Sequence, residues 1–414
     1  MMAGSTEGRN AVPAVLLALL ASTGACAERE QGMPAIAARD SAGITIVESD
    51  LVRPATRCSV DAEPTVVIGT AGGDPRYELY RVFGASRLSD GRIVLVNQGS
   101  QELRFYDPEG RFLQSSGGAG SGPGEFRDAF HLWVLPGDTI WVGDYRPWQF
   151  LVFSPEGEWV RTVRPRPEYP NPPGVIDVLD DGRSVLSRRA FIAYGPRFET
   201  RNMTVAVHGA DGMVMDTVGT YPNGRWGRVG DDPNSPGLYP LFESFARVAA
   251  SGSRVVVGHT SRPELEILEA SVAPSLERII RWTAGSREIQ PEDVEAERRR
   301  LAEPYENMDP AMRRQLVDPL VSDERPVADE FPAFSSLMLG RDDRIWIRQY
   351  PRPGASETPE WVAFGSDGRF DCRLALPPFD ELLEFGQDYL LALEKDELDV
   401  ERVVQYGIGP AVDP

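Results

Sequence analysis

A short turn, a strand, a second strand and a D-x-x-G turn recur along this chain, and that repeat restricts its fold more than any other feature. The unit reads Ser89-Asp90-Gly91 before an apolar run over 92–97, then 103–106, then Asp107-Pro108-Glu109-Gly110. It returns as Pro136-Gly137-Asp138 before 139–144, then 150–153, then Ser154-Pro155-Glu156-Gly157. Weaker copies begin at Asp180-Asp181-Gly182, Ala250-Ser251-Gly252, Arg341-Asp342-Asp343 and Gly386-Gln387. From turn to turn the spacings are 46, 45, 70, 91 and 43 residues. A unit of this length is one small sheet that cannot bury both its faces alone, so the copies must stack around an axis.

Six such units predict an all-β, six-bladed β-propeller of four-stranded antiparallel blades over 40–414. The sixth unit runs out of chain before its outer strand, and an unpaired edge there is a liability. Pro64-Thr65-Val66-Val67-Ile68-Gly69 is placed to supply the missing strand and close the ring, with Gly43 to Glu48 a further strand candidate nearby. The junction between blades four and five, 288–331, is the longest. Pro291-Glu292-Asp293 reads as a helix start, with proline in the first turn and acids at the positive end of the helix dipole. Asp309-Pro310 reads as a second start, leading into a helix over 311–321.

The N-terminus reads as an export signal over 1–25. An apolar run over 11–21 follows Arg9 and is too short to span a membrane. Ser22-Thr23-Gly24-Ala25-Cys26 resembles a bacterial lipobox, which makes Cys26 the expected lipidation site; ordinary cleavage after Ala27 is the alternative. Residues 26–39 read as a tether. The expected location is therefore the cell envelope, facing the periplasm or exterior, held by lipid alone. Cys58 and Cys372 remain, either as a disulfide that staples the ring closure or as two buried thiols. A formal net charge of −20 argues against nucleic acid as a partner. Lys395 is the single lysine, so a Schiff-base mechanism has little to draw on.

Gly118-Ala119-Gly120-Ser121-Gly122-Pro123-Gly124-Glu125-Phe126 resembles the G-x-G-x-GPG-x-F segment between NHL-type repeats, and residues 140–144 with 150–153 resemble the strand pair of that repeat. The stretch lacks the Gly-Lys-Ser/Thr ending of a phosphate loop. From about Asp40 onward the chain is similar to bacterial six-bladed propeller lipoproteins. The resemblance implies the fold and no particular activity; the loops described next favour a binding or scaffold module, with a calcium-dependent lactonase of the gluconolactonase type, also a six-bladed propeller, as the alternative.

In such a fold the short turns fall on one face and the long connections, including 164–174, 188–202, 221–243, 288–331 and 350–360, on the other, which marks the second as the binding face. The ends of the second strands place Asn97, Asp144, Arg188, His259, Gln349 and Glu394 as candidate ligand residues at the channel mouth. The loops of the same face add Arg146, Trp148, Tyr194 and Arg352, a pattern suited to an anionic glycan, peptide or protein. No histidine pair has zinc-ligand spacing and no G-x-S-x-G elbow is present, so neither a catalytic residue nor a metal ligand is assigned. Calcium is the one cofactor admitted, through Asn97, Asp144 and Glu394, although Arg188 in the same ring disfavours a dication. The expected state is a monomer.

Overall fold

The computed structural model describes residues 37–51, 56–146, 148–166, 173–189, 195–270, 273–355 and 359–412. The expected signal segment, Cys26 and Tyr194 lie outside them.

Four strands open the described chain: β1 (Ala37–Ser41), β2 (Ile44–Asp50), β3 (Arg57–Val60) and β4 (Val66–Ile68). Antiparallel groups of four follow in chain order. The first is β5 (Val82–Arg87), β6 (Ile93–Asn97), β7 (Glu102–Tyr106) and β8 (Phe112–Gly117), and the second is β9 (Ala129–Leu135), β10 (Thr139–Tyr145), β11 (Trp148–Phe153) and β12 (Trp159–Val163). The third is β13 (Gly174–Val178), β14 (Ser184–Arg189), β15 (Glu199–His208) and β16 (Val214–Trp226). The fourth is β17 (Ala246–Ser251), β18 (Arg254–His259), β19 (Glu264–Glu269) and β20 (Ser275–Thr283). The fifth is β21 (Ser336–Leu339), β22 (Ile345–Arg348), β23 (Trp361–Phe364) and β24 (Phe370–Leu374). Last come β25 (Glu381–Phe385), β26 (Tyr389–Lys395) and β27 (Glu401–Val412), with β4 paired onto β27 as a fourth strand. The fold is a β-propeller.

The recurring turns have a local cause. In Asp107-Pro108-Glu109-Gly110 the Asp107 carboxylate accepts from the backbone N–H of Glu109 (3.1 Å) and Arg111 (2.8 Å), and Gly110 takes φ +81°. Gly157, Gly212 and Gly368 occupy the same left-handed state at φ +79°, +86° and +81°, where a side chain would be strained. At the same end of the blades, Asp90 and Asp181 each accept from the N–H two residues on (3.0 and 3.1 Å). The same aspartates hold the Nε of Arg92 and Arg183, each at 2.6 Å.

Packing between neighbouring sheets supplies the core. Val94, Val96, Phe105, Phe126, Ile140 and Val142 form one apolar cluster between the first two sheets. Trp346 stacks on Phe385 at 4.2 Å between the fifth and sixth, an arrangement worth about 0.5–1.5 kcal/mol beyond burial.

The N-terminal segment runs along the outside of three sheets. β2 pairs in parallel with β20, so Gly43 to Glu48 belongs to the fourth sheet and not to the closing one. β3 inserts between β24 and β27, and a disulfide joins its Cys58 to Cys372 of β24. β4 then completes the last sheet through Val66–Gln405, Val67–Val404 and Ile68–Val403.

Helices α1 (Pro291–Ala302), α2 (Pro310–Leu316) and α3 (Asp318–Val321) lie between β20 and β21. The segment expected as one helix over 311–321 is thus two, broken at Val317 ahead of Asp318-Pro319. Proline there has no N–H to continue the first helix and instead suits the opening turn of the next. Val294 and Leu301 of α1 pack with Leu241, Phe242, Phe331 and Tyr350, which fixes the helices to the sheets. The expected loops over 188–202 and 221–243 are also shorter than their sequence suggests: β15 and β16 pair from Glu199–Trp226 down to His208–Val214, so the first loop ends in strand and the second begins in it.

Candidate functional site

The axis of the propeller is a cavity of about 350 Å³ lined by the innermost strand of every group, β5, β9, β13, β17, β21 and β25. Four of these strands carry a register shift, at 82/85 in β5, at His131 in β9, at 175/177 in β13 and at 382/384 in β25. Such bulges re-aim side chains and recur next to cavities. His131 takes φ +44° at its bulge. Asp177 borders the cavity, accepts from Ala250 N–H at 3.4 Å, and has its carboxyl pushed up to about 7 by burial. Burial also raises the Glu381 carboxyl. Glu384 accepts from the Ser86 hydroxyl, from Arg87 N–H (3.1 Å) and from the Tyr389 hydroxyl (2.5 Å). Arg341 donates to Ser86 Oγ and to the Arg87 carbonyl, each at 2.9 Å, and so links the fifth, sixth and first sheets.

None of the six residues expected at the channel mouth borders this cavity. Asn97 and Asp144 are buried and spent on the backbone leading into the inner strand of their own sheet. Asn97 Oδ1 accepts from Tyr80 N–H (2.8 Å), and Asp144 Oδ1 from Asp128 N–H (2.8 Å). Burial raises the Asp144 carboxyl. Glu394 accepts from the Tyr406 hydroxyl at 2.7 Å, and Gln349 Oε1 from Glu360 N–H at 3.3 Å. His259 Nδ1 lies 2.6 Å from Ser261 Oγ, and burial, then Arg262, lowers its pKa. Arg188 is exposed at the end of β14. The inner strand stands between the second strand and the axis, so polar groups at the second strand's end clamp the incoming chain instead of facing the channel. The channel residues Asp177 and Glu384 escape a sequence reading because they flank bulges, which break the alternation that such a reading relies on.

The loop residues divide in the same way. Arg146 pairs with Asp128 at 3.6 Å, and Trp148 packs between Phe130 (5.4 Å) and Phe150 (5.5 Å). Arg352 and Gln349 instead meet in a cleft of about 610 Å³ beside the helical insertion. Its walls carry four guanidiniums, Arg57, Arg287, Arg352 and Arg373, and one carboxylate, Glu360. Glu360 holds Arg57 Nη1 at 2.8 Å and Arg373 Nη1 at 3.4 Å. On the facing wall Arg352 lies 4.9 Å over the Phe331 ring and donates to the Ser286 carbonyl. Arg287 donates to the carbonyls of Ser261 (2.8 Å) and Phe331 (3.2 Å) and pairs with Glu330. Each guanidinium is thus held in place with N–H groups to spare, the arrangement that grips carboxylate or phosphate. Phe331 is 1% exposed beneath Arg352, so it serves as a platform for the arginine and offers no open ring face.

Calcium does not fit the residues expected to hold it. Asn97, Asp144 and Glu394 each bond within their own sheet and share no partner. Among the described residues, the one group of three His, Cys, Asp or Glu donors close enough to share an ion is Cys58, Asp371 and Cys372, and its two sulfurs are joined in the disulfide.

No protein-family model matches the chain, and no curated protein does. Among solved structures, a Bacteroides fragilis protein provisionally described as exported is 12% identical, covering 88% of this chain and 98% of its own, with a TM-score of 0.47. A member of the DUF4221 family from Bacteroides vulgatus is 12% identical over 86% and 99%, with a TM-score of 0.46. The calcium-binding protein regucalcin from Agrobacterium tumefaciens is 10% identical over 85% and 99%, with a TM-score of 0.36. The β-propeller assignment rests on this chain's own sheets.

Proposed function

We propose that this protein is an exported six-bladed β-propeller that binds an anionic ligand, bearing carboxylate or phosphate, in the arginine cleft. One observation carries the reading: Arg57, Arg287, Arg352 and Arg373 line one cavity with Glu360 as its single carboxylate, on a chain of formal net charge −20. A basic cleft on an acidic protein focuses attraction for anions at one place. Guanidinium forks match the planar oxygen pairs of carboxylates and phosphates. The closed count of six blades is supported by six inner strands around one cavity. Export is supported by the apolar run over 11–21, and lipid attachment at Cys26 by the small residues before it. Among the described residues no helix is long and apolar enough to cross a membrane.

The test is calorimetric titration of the full chain with citrate, inorganic phosphate, an acidic galacturonate trimer and neutral maltotriose. Binding of one or more of the anions, with no heat from maltotriose, is expected. Arg352→Ala should weaken it about tenfold, the loss of one charge-assisted contact. Equal heats for acidic and neutral sugars, or affinity unchanged in Arg352→Ala, would remove the reading. The second reading, a calcium-dependent lactonase-like hydrolase, would need channel carboxylates that, among the described residues, do not gather closely enough to share an ion; stoichiometric calcium in the purified chain would favour it.

A further inference from the structure

We infer that the Cys58–Cys372 disulfide is a positioning element of the anion cleft, holding Arg57 beside Arg373 so that the two guanidiniums act as one wall. The inference rests on the reading of the cleft as an anion site.

The two cysteines and the two arginines are sequence neighbours, Arg57-Cys58 on β3 and Cys372-Arg373 on β24. Arg57 and Arg373 are also direct partners in the parallel β3–β24 pairing. That pairing is a single residue pair long, supported by the Arg373 N–H donating to the Thr56 carbonyl at 3.0 Å. On its other edge β3 pairs with β27 through Val60, Ser59 and Arg57, and that sheet does not border the cleft. The disulfide is therefore the covalent tie between β3 and the cleft wall, beside the packing of Val60 in the cluster that holds Trp361 and Leu374.

The two arginines differ in how firmly they are held. The Arg373 side chain is 13% exposed and also donates to the Leu51 carbonyl. The Arg57 side chain is 59% exposed, and among the described residues its one side-chain partner is Glu360. An exposed ion pair of this kind contributes little by itself, so it cannot hold a strand in register. With β3 pinned, Glu360 is shared by two guanidiniums, and the remaining Arg57 donors face the cavity without further loss of side-chain freedom on binding. Without the bond, Arg57 follows β3, and Arg373 stays behind as the lone cation on that wall.

The test is a double-mutant cycle on the full chain, titrated with citrate, using Cys58→Ser/Cys372→Ser, Arg57→Ala and the combination, with circular dichroism confirming that each is folded. Loss of the disulfide should weaken citrate about tenfold, Arg57→Ala should do the same, and the combination should be no weaker than either alone. Arg57→Lys with the disulfide intact should recover part of the affinity, which general destabilisation would not do. Full affinity in a folded Cys58→Ser/Cys372→Ser variant overturns the inference and leaves the cleft intact as a site. Additive losses in the combination also overturn it, because the bond and Arg57 would then act separately. If the unaltered chain binds none of the four probes, the cleft reading fails and this inference fails with it. Should the cysteine variant not fold, Arg57→Ala without effect on citrate affinity is sufficient to reject the role given to Arg57.

Discussion

The axial channel and the arginine cleft are built from the same sheets by opposite means. The channel is made of the parts that recur in every sheet, the six inner strands, and its charged groups are chiefly carboxylates, with Arg341 drawn in to bridge three sheets. The cleft is made of the parts that break the repeat: the N-terminal strand β3, the chain leaving β20, the end of the helical insertion and the long β22–β23 connection. Its charges are four arginines and the one carboxylate of Glu360. The difference teaches that the repeat builds the frame, while departures from it gather side chains of one sign at one place.

The largest test of that division is Phe331→Ala. Phe331 anchors the insertion against Leu241, Phe242 and Tyr350 and carries Arg352 on its face. Its removal should cost about 3–5 kcal/mol in chemical denaturation and weaken anion binding as well. Stability lost with binding retained would separate the insertion from the cleft. Next is Asp144→Ala, which leaves the N–H groups of Arg127 and Asp128 without their acceptor. It should cost about 1–3 kcal/mol and leave cleft affinity unchanged, since the residue serves only its own sheet.

A smaller effect is expected from pH. Asp177 holds its proton up to about 7 in the folded protein, against 3.8 for an ordinary aspartate. The folded state therefore binds one proton more than the unfolded chain between these values. This contribution to stability is fully present below about pH 4 and is lost as pH rises toward 7. Asp177 is only half-buried at the channel wall, which moderates the size, so about 1–2 kcal/mol is expected across that window. Asp177→Asn should flatten this part of the profile, read as denaturation midpoints at pH 5 and pH 8; an unchanged slope would show that the channel does not desolvate the carboxyl. The smallest effect is Arg188→Ala. The side chain is exposed and makes no ion pair among the described residues, so stability should stay within about 0.5 kcal/mol. A measurable loss of anion affinity would extend the site beyond the cleft.

Much of the frame was legible beforehand because its signals are local. Asp107 to Gly110 and Ser154 to Gly157 declare their turns through residues that cap a backbone and tolerate positive φ. The helix start at Pro291 was legible for the same reason, and Val66 to Ile68 could be matched to the sheet that lacked a strand. The site was legible only in part. Arg352, expected in the top-face loops, and Gln349, expected at the channel mouth, both line the cleft, whereas Arg57, Arg287 and Arg373 carry no local mark. Asn97 and Asp144 are expected to face the channel because they end second strands, whereas their side chains bond backbone N–H groups of their own sheet.

By itself the sequence determined the repeat, the turns, the acidic balance and the residues that start the helices, because each is written within a few positions. The tertiary structure alone decided that β2 joins the fourth sheet, that bulges turn Asp177 and Glu384 toward the axis, and that Arg57 stands beside Arg373. Those outcomes depend on which strands meet across hundreds of residues, and the physics of pairing acts on neighbours in space, not on neighbours along the chain.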